Sequence, residues 1–281
     1  MSDRIARDVP GYRLLDSGDG RKLEEIAGWR MIRPCNQAIW RPNLPASEWD
    51  QAGSVCERTR SGGGQWTHHQ APPELVLHWE ELELGLRLTD FGHCGVFFEQ
   101  VPLWQRFRAH LQGRPQAKMA NGFGYTGNAS LAAAAVGAQV FHVDSAKGVL
   151  DWGKANQRRS GIAAEQVRWI HDDVRSFLAL SIKRGWTYDV VYLDPPAFGH
   201  GKKKETWTFE QEVAQLAADG FAVLAPQGLL VISCHTPGVQ REALVNLLRP
   251  FGQVVAGELG VAHAHDERVL PAGIYVEVQR D

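Results

Sequence analysis

The sequence predicts an α/β fold in which a doubly wound, mainly parallel sheet follows a small β-rich N-terminal domain. From about Lys118 onward, short apolar runs alternate with helical segments, which is typical of successive β-α-β units. Before about residue 90, short runs of alternating polar and apolar residues indicate half-buried strands in hairpins. One helical segment lies between the two parts, and Gly113 and Pro115 end it.

The N-terminal part is predicted to be a small antiparallel sheet or barrel. Its first hairpin is indicated by a turn rich in Gly and Asp, residues 16–20, between two strand-like runs. We assign residues 1–90 to this β-rich domain and residues 91–117 to a connecting segment with one helix. The predicted strands are residues 12–15, 21–26, 29–33 and 81–88.

The C-terminal part, residues 118–281, is predicted to form a seven-stranded sheet with helices between its strands. The predicted strands are residues 118–121, 140–144, 167–170, 188–192, 229–233, 254–255 and 274–278. The predicted helices are residues 130–136, 146–159, 174–183, 209–224 and 240–248. Open α/β sheets bind their ligands at the carboxyl ends of the strands, so the residues that follow each strand are the candidate site residues.

Composition excludes some classes of protein. The 281 residues are 44% hydrophobic and 22% charged, with a formal net charge of −2, which argues against a broadly basic nucleic-acid binder. None of the four cysteines forms a C-x-x-C pair, and we predict no metal site. The first residues begin no apolar leader, and no run has membrane-spanning length, so we expect a cytoplasmic protein without a membrane partner.

A glycine-rich segment follows the first predicted strand of the sheet. Gly122-Phe123-Gly124-Tyr125-Thr126-Gly127 has the G-x-G-x-x-G spacing and opens a helix, whose free N–H groups suit a nucleotide. Asp144 ends the next strand, 17 residues after Gly127, where a carboxylate can accept from both ribose hydroxyls. The pair indicates an adenosine-containing cofactor, either a dinucleotide or S-adenosylmethionine. The alternative is a glycine-rich turn with an Asp helix cap.

Acidic residues also end the third and fourth predicted strands, and they favour S-adenosylmethionine. Asp172 and Asp173 could accept from the adenine amino group, although an N-cap of the next helix is the simpler interpretation. Asp194-Pro195-Pro196 follows the fourth strand; its two prolines remove backbone donors and stiffen a loop that suits a flat polar group such as a base. A dinucleotide dehydrogenase has no need of that loop.

These residues belong to a larger set of motifs. Together they resemble class I S-adenosylmethionine-dependent methyltransferases related to the 23S rRNA cytosine carbon-5 and guanine methyltransferases, over about residues 85–281. The motifs are Phe91-Gly92-His93-Cys94-Gly95-Val96-Phe97-Phe98-Glu99-Gln100, Asn121–Gly127, Val143-Asp144-Ser145, Asn156, Asp173, Leu193–Gly199 and Ser233-Cys234. The resemblance implies a Rossmann-like seven-stranded domain that binds S-adenosylmethionine and modifies RNA.

The resemblance also implies which residues form the cofactor site, and it brings the connecting segment 91–117 into that site. It implies that the cofactor is lined by Phe97, Gln100, Asn121, Phe123, Tyr125, Asp144, Asp173 and Asp194. The neighbouring motif residues complete the predicted set: Gly122, Thr126, Gly127, Ser145, Asn156, Asp172 and Pro195.

Cys234 is the predicted nucleophile and Asp194 its partner in catalysis. Methylation of a pyrimidine at carbon-5 requires a covalent step, in which a thiolate adds to carbon-6 before carbon-5 attacks the methyl group. Asp194 would hydrogen-bond the base, and we expect His235 and the following helix to lower the pKa of the Cys234 thiol. The alternative is a buried structural cysteine at a strand end.

Two further groups have both a functional and an ordinary interpretation. Lys202-Lys203-Lys204 could neutralise phosphates or form a solvated loop, and Trp207 and Phe209 could stack on bases or pack a helix. His263-Ala264-His265-Asp266 could hold a metal, but the sequence offers no further ligand set.

The sequence therefore predicts a methyltransferase that uses S-adenosylmethionine to modify a base of RNA, with ribosomal RNA as the expected substrate. Three alternatives stay open at this point. The acceptor could be a protein or a small molecule, the enzyme could be an NAD(P)-dependent oxidoreductase, or the chain could be a non-catalytic RNA-binding module.

Overall fold

The computed structural model describes residues 2–59, 63–70, 72–200 and 206–281. Two compact units make up this part of the chain. The N-terminal unit contains residues 5–101 and 260–272, and the C-terminal unit contains residues 2–4, 102–259 and 273–281. The predicted ranges differ from this division because they place residues 260–272 in the C-terminal domain and residues 91–117 in a separate connecting segment.

The N-terminal unit is rich in β-strands, which confirms the predicted character of this part. A five-stranded sheet has the order β2-β3-β4-β5-β6; β4 and β5 pair in parallel, whereas the other pairs are antiparallel. Strands β7 and β8 form a separate hairpin. The first elements of the chain are β1 (Arg4–Ala6), β2 (Tyr12–Gly18), β3 (Arg21–Ile26), β4 (Trp29–Pro34), α1 (Ala46–Trp49), β5 (Ser54–Arg58), β6 (Gly64–His68), β7 (Val76–Trp79) and β8 (Leu82–Gly85).

A buried ion pair lies in the N-terminal unit. Glu24 on β3 is fully buried, and the Arg33 guanidinium binds both of its oxygens, at 2.7 and 3.1 Å. Tyr12 donates a third hydrogen bond to this carboxylate, at 2.8 Å. Burial alone would raise the pKa of Glu24, but Arg33 and Lys22 lower it to about 2. The carboxylate is therefore charged over most of the pH range.

The C-terminal unit is built on the predicted doubly wound sheet. The strand order is β1-β16-β17-β15-β12-β9-β10-β11. Neighbours from β15 to β11 are parallel, and β17 pairs antiparallel with β15. The short β1 adds an eighth strand to the seven predicted. The remaining elements are α2 (Val101–Leu111), β9 (Lys118–Gly122), α3 (Asn128–Ala135), β10 (Gln139–Asp144), α4 (Lys147–Arg159), β11 (Val167–His171), α5 (Val174–Arg184), β12 (Tyr188–Leu193), β13 (Phe198–His200), β14 (Thr206–Thr208), α6 (Phe209–Ala222), β15 (Leu224–Cys234), α7 (Arg241–Leu248), β16 (Val254–Ala262) and β17 (Val269–Gln279).

The strand order determines where a ligand site can form. From β9 the chain winds outward to β10 and β11 on one side, whereas β12 and β15 lie on the other side. The carboxyl ends of β9 and β12 thus flank the point where the winding direction changes, which is where open α/β sheets bind ligands.

No helix in the described ranges is long and apolar enough to cross a membrane.

Candidate functional site

The loop that follows β9 has an unusual backbone. Phe123, Tyr125 and Gly127 all have positive φ angles, of 58°, 52° and 83°. The amide of Gly124 donates to the carbonyl of Val143 at 3.2 Å, and the amide of Gly127 donates to the carbonyl of Gly124 at 3.0 Å. These bonds hold the loop against the end of β10, so its shape is fixed by the protein itself.

Large side chains pack directly under the glycines of this loop. A β-carbon on Gly124 would collide with the His142 ring, and one on Gly127 would lie 2.5 Å from the Trp169 ring. A β-carbon on Gly153, in α4, would collide with the same Trp169 ring. The sequence pattern was interpreted as room for a ligand to approach the backbone; the structure shows that packing beneath the loop also requires these glycines.

Asp144 connects the end of β10 to the glycine loop. Its Oδ2 accepts from the Tyr125 amide at 2.9 Å, and its Oδ1 accepts from the Ala146 amide at 2.8 Å. Burial raises the pKa of Asp144, and these two amides act against that effect. The carboxylate is therefore held in one orientation at the rim of the predicted cofactor site.

A buried polar chain lies under the glycine loop. Asn121 is 1% exposed and its Nδ2 donates to Ser130 Oγ at 2.8 Å, and Ser130 Oγ is 2.9 Å from His142 Nδ1. Burial lowers the pKa of His142 to about 3, so the ring is neutral. Asn121 Oδ1 has no hydrogen-bond partner among the described residues. A buried acceptor left in this way is suited to a ligand that brings an N–H donor, such as the ammonium group of S-adenosylmethionine.

Asp173 has a structural role at the start of α5. It caps α5 by accepting from the Arg175 amide at 2.8 Å, and the Arg175 guanidinium binds both of its oxygens, at 3.0 and 2.8 Å. Arg175 also pairs with Glu212 at 3.1 Å. Asp172 accepts from the Asp173 amide at 3.0 Å. The simpler interpretation, an N-cap, describes Asp173 as it is seen, and the adenine contact stays a prediction. The sequence pattern gave no role to Arg175.

The other predicted cofactor residues fall into two groups. Thr126, Asn156 and Pro195 are buried in the C-terminal unit, and Ser145 is half-buried, with its carbonyl 2.9 Å from His171 Nε2. Phe97 and Gln100 instead belong to the N-terminal unit, where Phe97 precedes a single 3-10 turn and Gln100 is the last residue of that turn. The role of both groups in cofactor binding stays a prediction.

Asp194 lies where β12 ends, next to the glycine loop. Its amide donates to the carbonyl of Gly122 at 3.3 Å. Its Oδ1 accepts from Ser233 Oγ at 2.5 Å and lies 3.3 Å from His235 Nε2. Ser233 in turn is 3.0 Å from the hydroxyl of Tyr192. The structure thus brings the predicted acidic group and the start of the glycine loop together, and it adds polar contacts around Asp194 that the sequence did not predict.

Cys234 lies in the apolar core and not in an open cleft. Its side chain is 2% exposed and belongs to the cluster formed by the sheet and α5, α6 and α7. Burial raises the pKa of the thiol, and the carboxylates of Asp194 and Glu210 raise it further, against hydrogen bonds with Thr236. The expectation that His235 and the following helix lower this pKa is therefore wrong, because desolvation is the larger effect. The nucleophile assignment itself stays a prediction.

The loop after β12 exposes a different aromatic residue from the two predicted. Trp207 is 4% exposed; its Nε1 donates to the Pro196 carbonyl at 2.6 Å, and its ring centroid is 5.1 Å from that of Phe123. Phe209 is also buried. Both therefore pack the protein and neither is available for base stacking. Phe198, on β13, is 59% exposed beside Asp194-Pro195-Pro196.

Two other predicted groups stand differently against the structure. Lys202-Lys203-Lys204 lies outside the described residues. His263 is 2.8 Å from Ser17 Oγ, and His265 is 3.2 Å from Arg13, so both histidines are engaged within the N-terminal unit. Within the described ranges, no group of three or more His, Cys, Asp and Glu side chains could hold a metal ion.

Known proteins resemble this chain in sequence and in fold. The profile of an S-adenosylmethionine-dependent methyltransferase family matches residues 63–249. A ribosomal RNA large subunit methyltransferase K/L from Pseudomonas paraeruginosa is 30% identical over 238 residues, which is 80% of this chain and 32% of that protein. The chain thus spans about a third of the length of the curated relatives that it matches.

Solved structures agree with this match. The SAM-dependent methyltransferase from Agrobacterium tumefaciens is 32% identical, with a TM-score of 0.94 over 100% of this chain and 94% of that chain. The methyltransferase SMU.776, complexed with SAH, is 18% identical with a TM-score of 0.74, over 97% of this chain and 76% of that chain, and it shows the fold alone. The resemblance seen in the motifs is confirmed, and the oxidoreductase alternative is set aside: the chain belongs to the family of S-adenosylmethionine-dependent methyltransferases.

Proposed function

We propose that this chain transfers the methyl group of S-adenosylmethionine to a base of ribosomal RNA. The observation that supports this proposal most is the position of Asp194-Pro195-Pro196. The loop is fixed to the start of the glycine loop by the bond from the Asp194 amide to the Gly122 carbonyl. The K/L relatives, which are named as ribosomal RNA methyltransferases, supply the substrate class. Such a substrate implies a cytoplasmic enzyme.

The residues present fit the cofactor. Asp144 presents a fixed carboxylate for the ribose hydroxyls, and Asn121 presents a buried acceptor that a ligand donor would satisfy. When bound, S-adenosylmethionine supplies a methyl group on a cationic sulfonium, which is open to attack by a lone pair. The protein's contribution is to hold the acceptor atom in line with that methyl group, which removes most of the entropic cost of the reaction.

We further propose that the acceptor is a nitrogen or oxygen atom of the base and not carbon-5 of a pyrimidine. A nitrogen or oxygen atom attacks with its own lone pair, whereas carbon-5 requires a thiolate adduct at carbon-6. The buried Cys234 thiol with its raised pKa does not favour a thiolate. In direct transfer the new bond forms from the acceptor to the methyl carbon, the sulfur–methyl bond breaks, and any proton on the acceptor leaves to a base.

Asp194 and Phe198 are the residues placed to handle the acceptor base. A carboxylate accepts a hydrogen bond from an exocyclic amine or a ring N–H and can take its proton as the methyl group arrives. Phe198 offers an exposed ring that a base taken out of its stack could lie against. The hairpin of β13 and β14 would then present one face of the substrate pocket.

The experiment is a methylation assay with labelled S-adenosylmethionine and three RNAs: large-subunit ribosomal RNA, small-subunit ribosomal RNA and transfer RNA. The proposal expects label in ribosomal RNA, in a nucleoside methylated at nitrogen or oxygen when the digest is analysed by mass spectrometry. Cys234→Ala should retain activity, while Asp194→Ala should lose it and still bind the cofactor. Methylcytosine labelled at carbon-5, together with an inactive Cys234→Ala, would support the covalent route instead. Absence of label from both ribosomal RNAs would overturn the proposed substrate.

A further inference from the structure

We propose that Ser233 and His235 are positioning residues that fix the Asp194 carboxylate for methyl transfer. Ser233 and His235 lie on opposite sides of Cys234 in sequence, and both of their polar atoms reach the same oxygen, Oδ1 of Asp194. The proposal rests on the proposed function, because it gives these two residues a role in the same reaction. Cys234, which lies between them and is the nucleophile predicted from the sequence, faces the apolar core.

The first contact is part of a directional chain of hydroxyl groups. An ionised carboxylate only accepts, so Ser233 Oγ donates to Asp194 and must accept from the hydroxyl of Tyr192. Ser233 and Tyr192 are buried on the adjacent strands β15 and β12. Each hydrogen bond in such a chain polarises the next, which strengthens the donor that reaches the carboxylate.

The second contact is set by a neighbouring strand. A β-carbon on Gly273 would lie 2.7 Å from His235 Nδ1 and 2.8 Å from the carbonyl of Cys234, so only glycine leaves room for the ring there. The imidazole is thus held between Gly273 and the Asp194 carboxylate, with Nε2 toward Oδ1 at 3.3 Å. Its side chain is 32% exposed, against 16% for Asp194.

When Nε2 of His235 carries hydrogen, Ser233 and His235 place two donors on one oxygen, and together they restrict rotation of the carboxylate group. Hydrogen bonds to an ionised group are roughly twice as strong as neutral ones, so both contacts resist reorientation when a substrate enters. A carboxylate aligned in advance does not have to reorganise as charge develops on the acceptor. The expected result of losing either contact is slower methyl transfer with unchanged cofactor binding.

The test compares four variants of the full chain: Ser233→Ala, His235→Ala, His235→Gln and, as a matched control, Ser181→Ala. Ser181 makes the same kind of buried contact, to the hydroxyl of Tyr188 at 3.0 Å, at the other end of β12. The measurements are kcat and KM with ribosomal RNA, the dissociation constant for S-adenosylmethionine by calorimetry, and the melting temperature.

Ser233→Ala and His235→Ala should each lower kcat by about 10- to 150-fold, which corresponds to the loss of a hydrogen bond to a charged group, with cofactor affinity unchanged. His235→Gln should restore most of the lost kcat, because its amide nitrogen keeps a donor near Oδ1. Ser181→Ala should lower the melting temperature and leave kcat unchanged. A kcat equal to wild type in Ser233→Ala and His235→Ala, or an equal loss in the Ser181→Ala control, would overturn the proposal.

A second measurement needs no RNA, so it separates this inference from the proposed function. Long-range nitrogen–proton NMR spectra report which ring nitrogen of His235 carries hydrogen. Donation to Asp194 requires hydrogen on Nε2, and Asp194→Ala should alter that signal. A His235 ring with hydrogen on Nδ1 alone cannot donate to the carboxylate and contradicts the proposal, even if ribosomal RNA is methylated. If the wild type methylates no RNA and the Nε2–H signal is present, the proposed substrate fails and the positioning contact stands.

Discussion

Asp144→Asn is the substitution that most directly tests the cofactor site. The change is nearly isosteric, but it replaces one carboxylate oxygen by an amide nitrogen that cannot accept. One of the two backbone amides, at 2.9 and 2.8 Å, then loses its acceptor, and the ribose loses a charged partner. A hydrogen bond to a charged group contributes roughly 1.5–3 kcal/mol, which corresponds to an increase in dissociation constant of about 10- to 150-fold.

Isothermal calorimetry with S-adenosylmethionine measures this change. The matched control is Asp151→Asn on α4, an exposed carboxylate that pairs only with Lys147 and Lys154 among the described residues, and it should bind like wild type. Because burial raises the pKa of Asp144, wild-type affinity should fall on acidification at a higher pH than an ordinary Asp would require. Unaltered affinity in Asp144→Asn would show that the carboxylate does not contact the cofactor.

Three further predictions concern stability, measured by urea or thermal unfolding. Gly127→Ala should lower the free energy of unfolding by roughly 1–3 kcal/mol, because the added β-carbon meets the Trp169 ring at a positive φ angle. The control is Gly161→Ala, where φ is also positive but the space is open, so the loss of stability should be smaller. Equal losses in the two variants would contradict the role of packing against Trp169. The pKa of Glu24 in the folded protein is lowered from 4.5 to about 2, so its contribution to stability is present above pH 4.5 and is lost as the pH falls toward 2. This contribution amounts to roughly 3 kcal/mol, and Glu24→Gln should flatten the dependence of stability on pH in that range. The pKa of His142 in the folded protein is lowered from 6.5 to about 3, so stability should fall below pH 6.5 by about 1.4 kcal/mol per pH unit. If His142→Asn has the same dependence of stability on pH as wild type, His142 is not buried as a neutral ring.

The periodicity of the sequence is sufficient to predict the parallel sheet and the edge at which the site lies. Strands alternating with helices imply a parallel sheet, and a parallel sheet brings the ends of β9, β10 and β12 to one edge. The sequence therefore places Asp144 and Asp194 beside the glycine loop. Local hydrogen bonding in the structure agrees with that placement.

The sequence was not sufficient where the direction of one side chain decided its role. Successive residues of a strand point to opposite faces, so Ser233 and Cys234 had to differ, but the pattern does not say which of them meets Asp194. The motif favoured Cys234, whereas Ser233 makes the contact. In the same way, the folding back of Arg175 onto Asp173 depends on rotamers that no spacing reveals.

The sequence also does not reveal that residues 260–272 belong to the N-terminal unit, because more than 150 residues separate them from the rest of that unit.

This division of the chain has a consequence for folding during protein synthesis. Asp16, on β2, is fully buried, and Arg268 supplies a cation at 2.7 Å. A ribosome adding 5–20 residues per second makes Arg268 roughly 10–50 seconds after Asp16. During that interval the nascent N-terminal unit holds a carboxylate that lacks its ionic partner. We therefore expect this unit to reach its final form only after residues 260–272 have been made, well after most of its own strands.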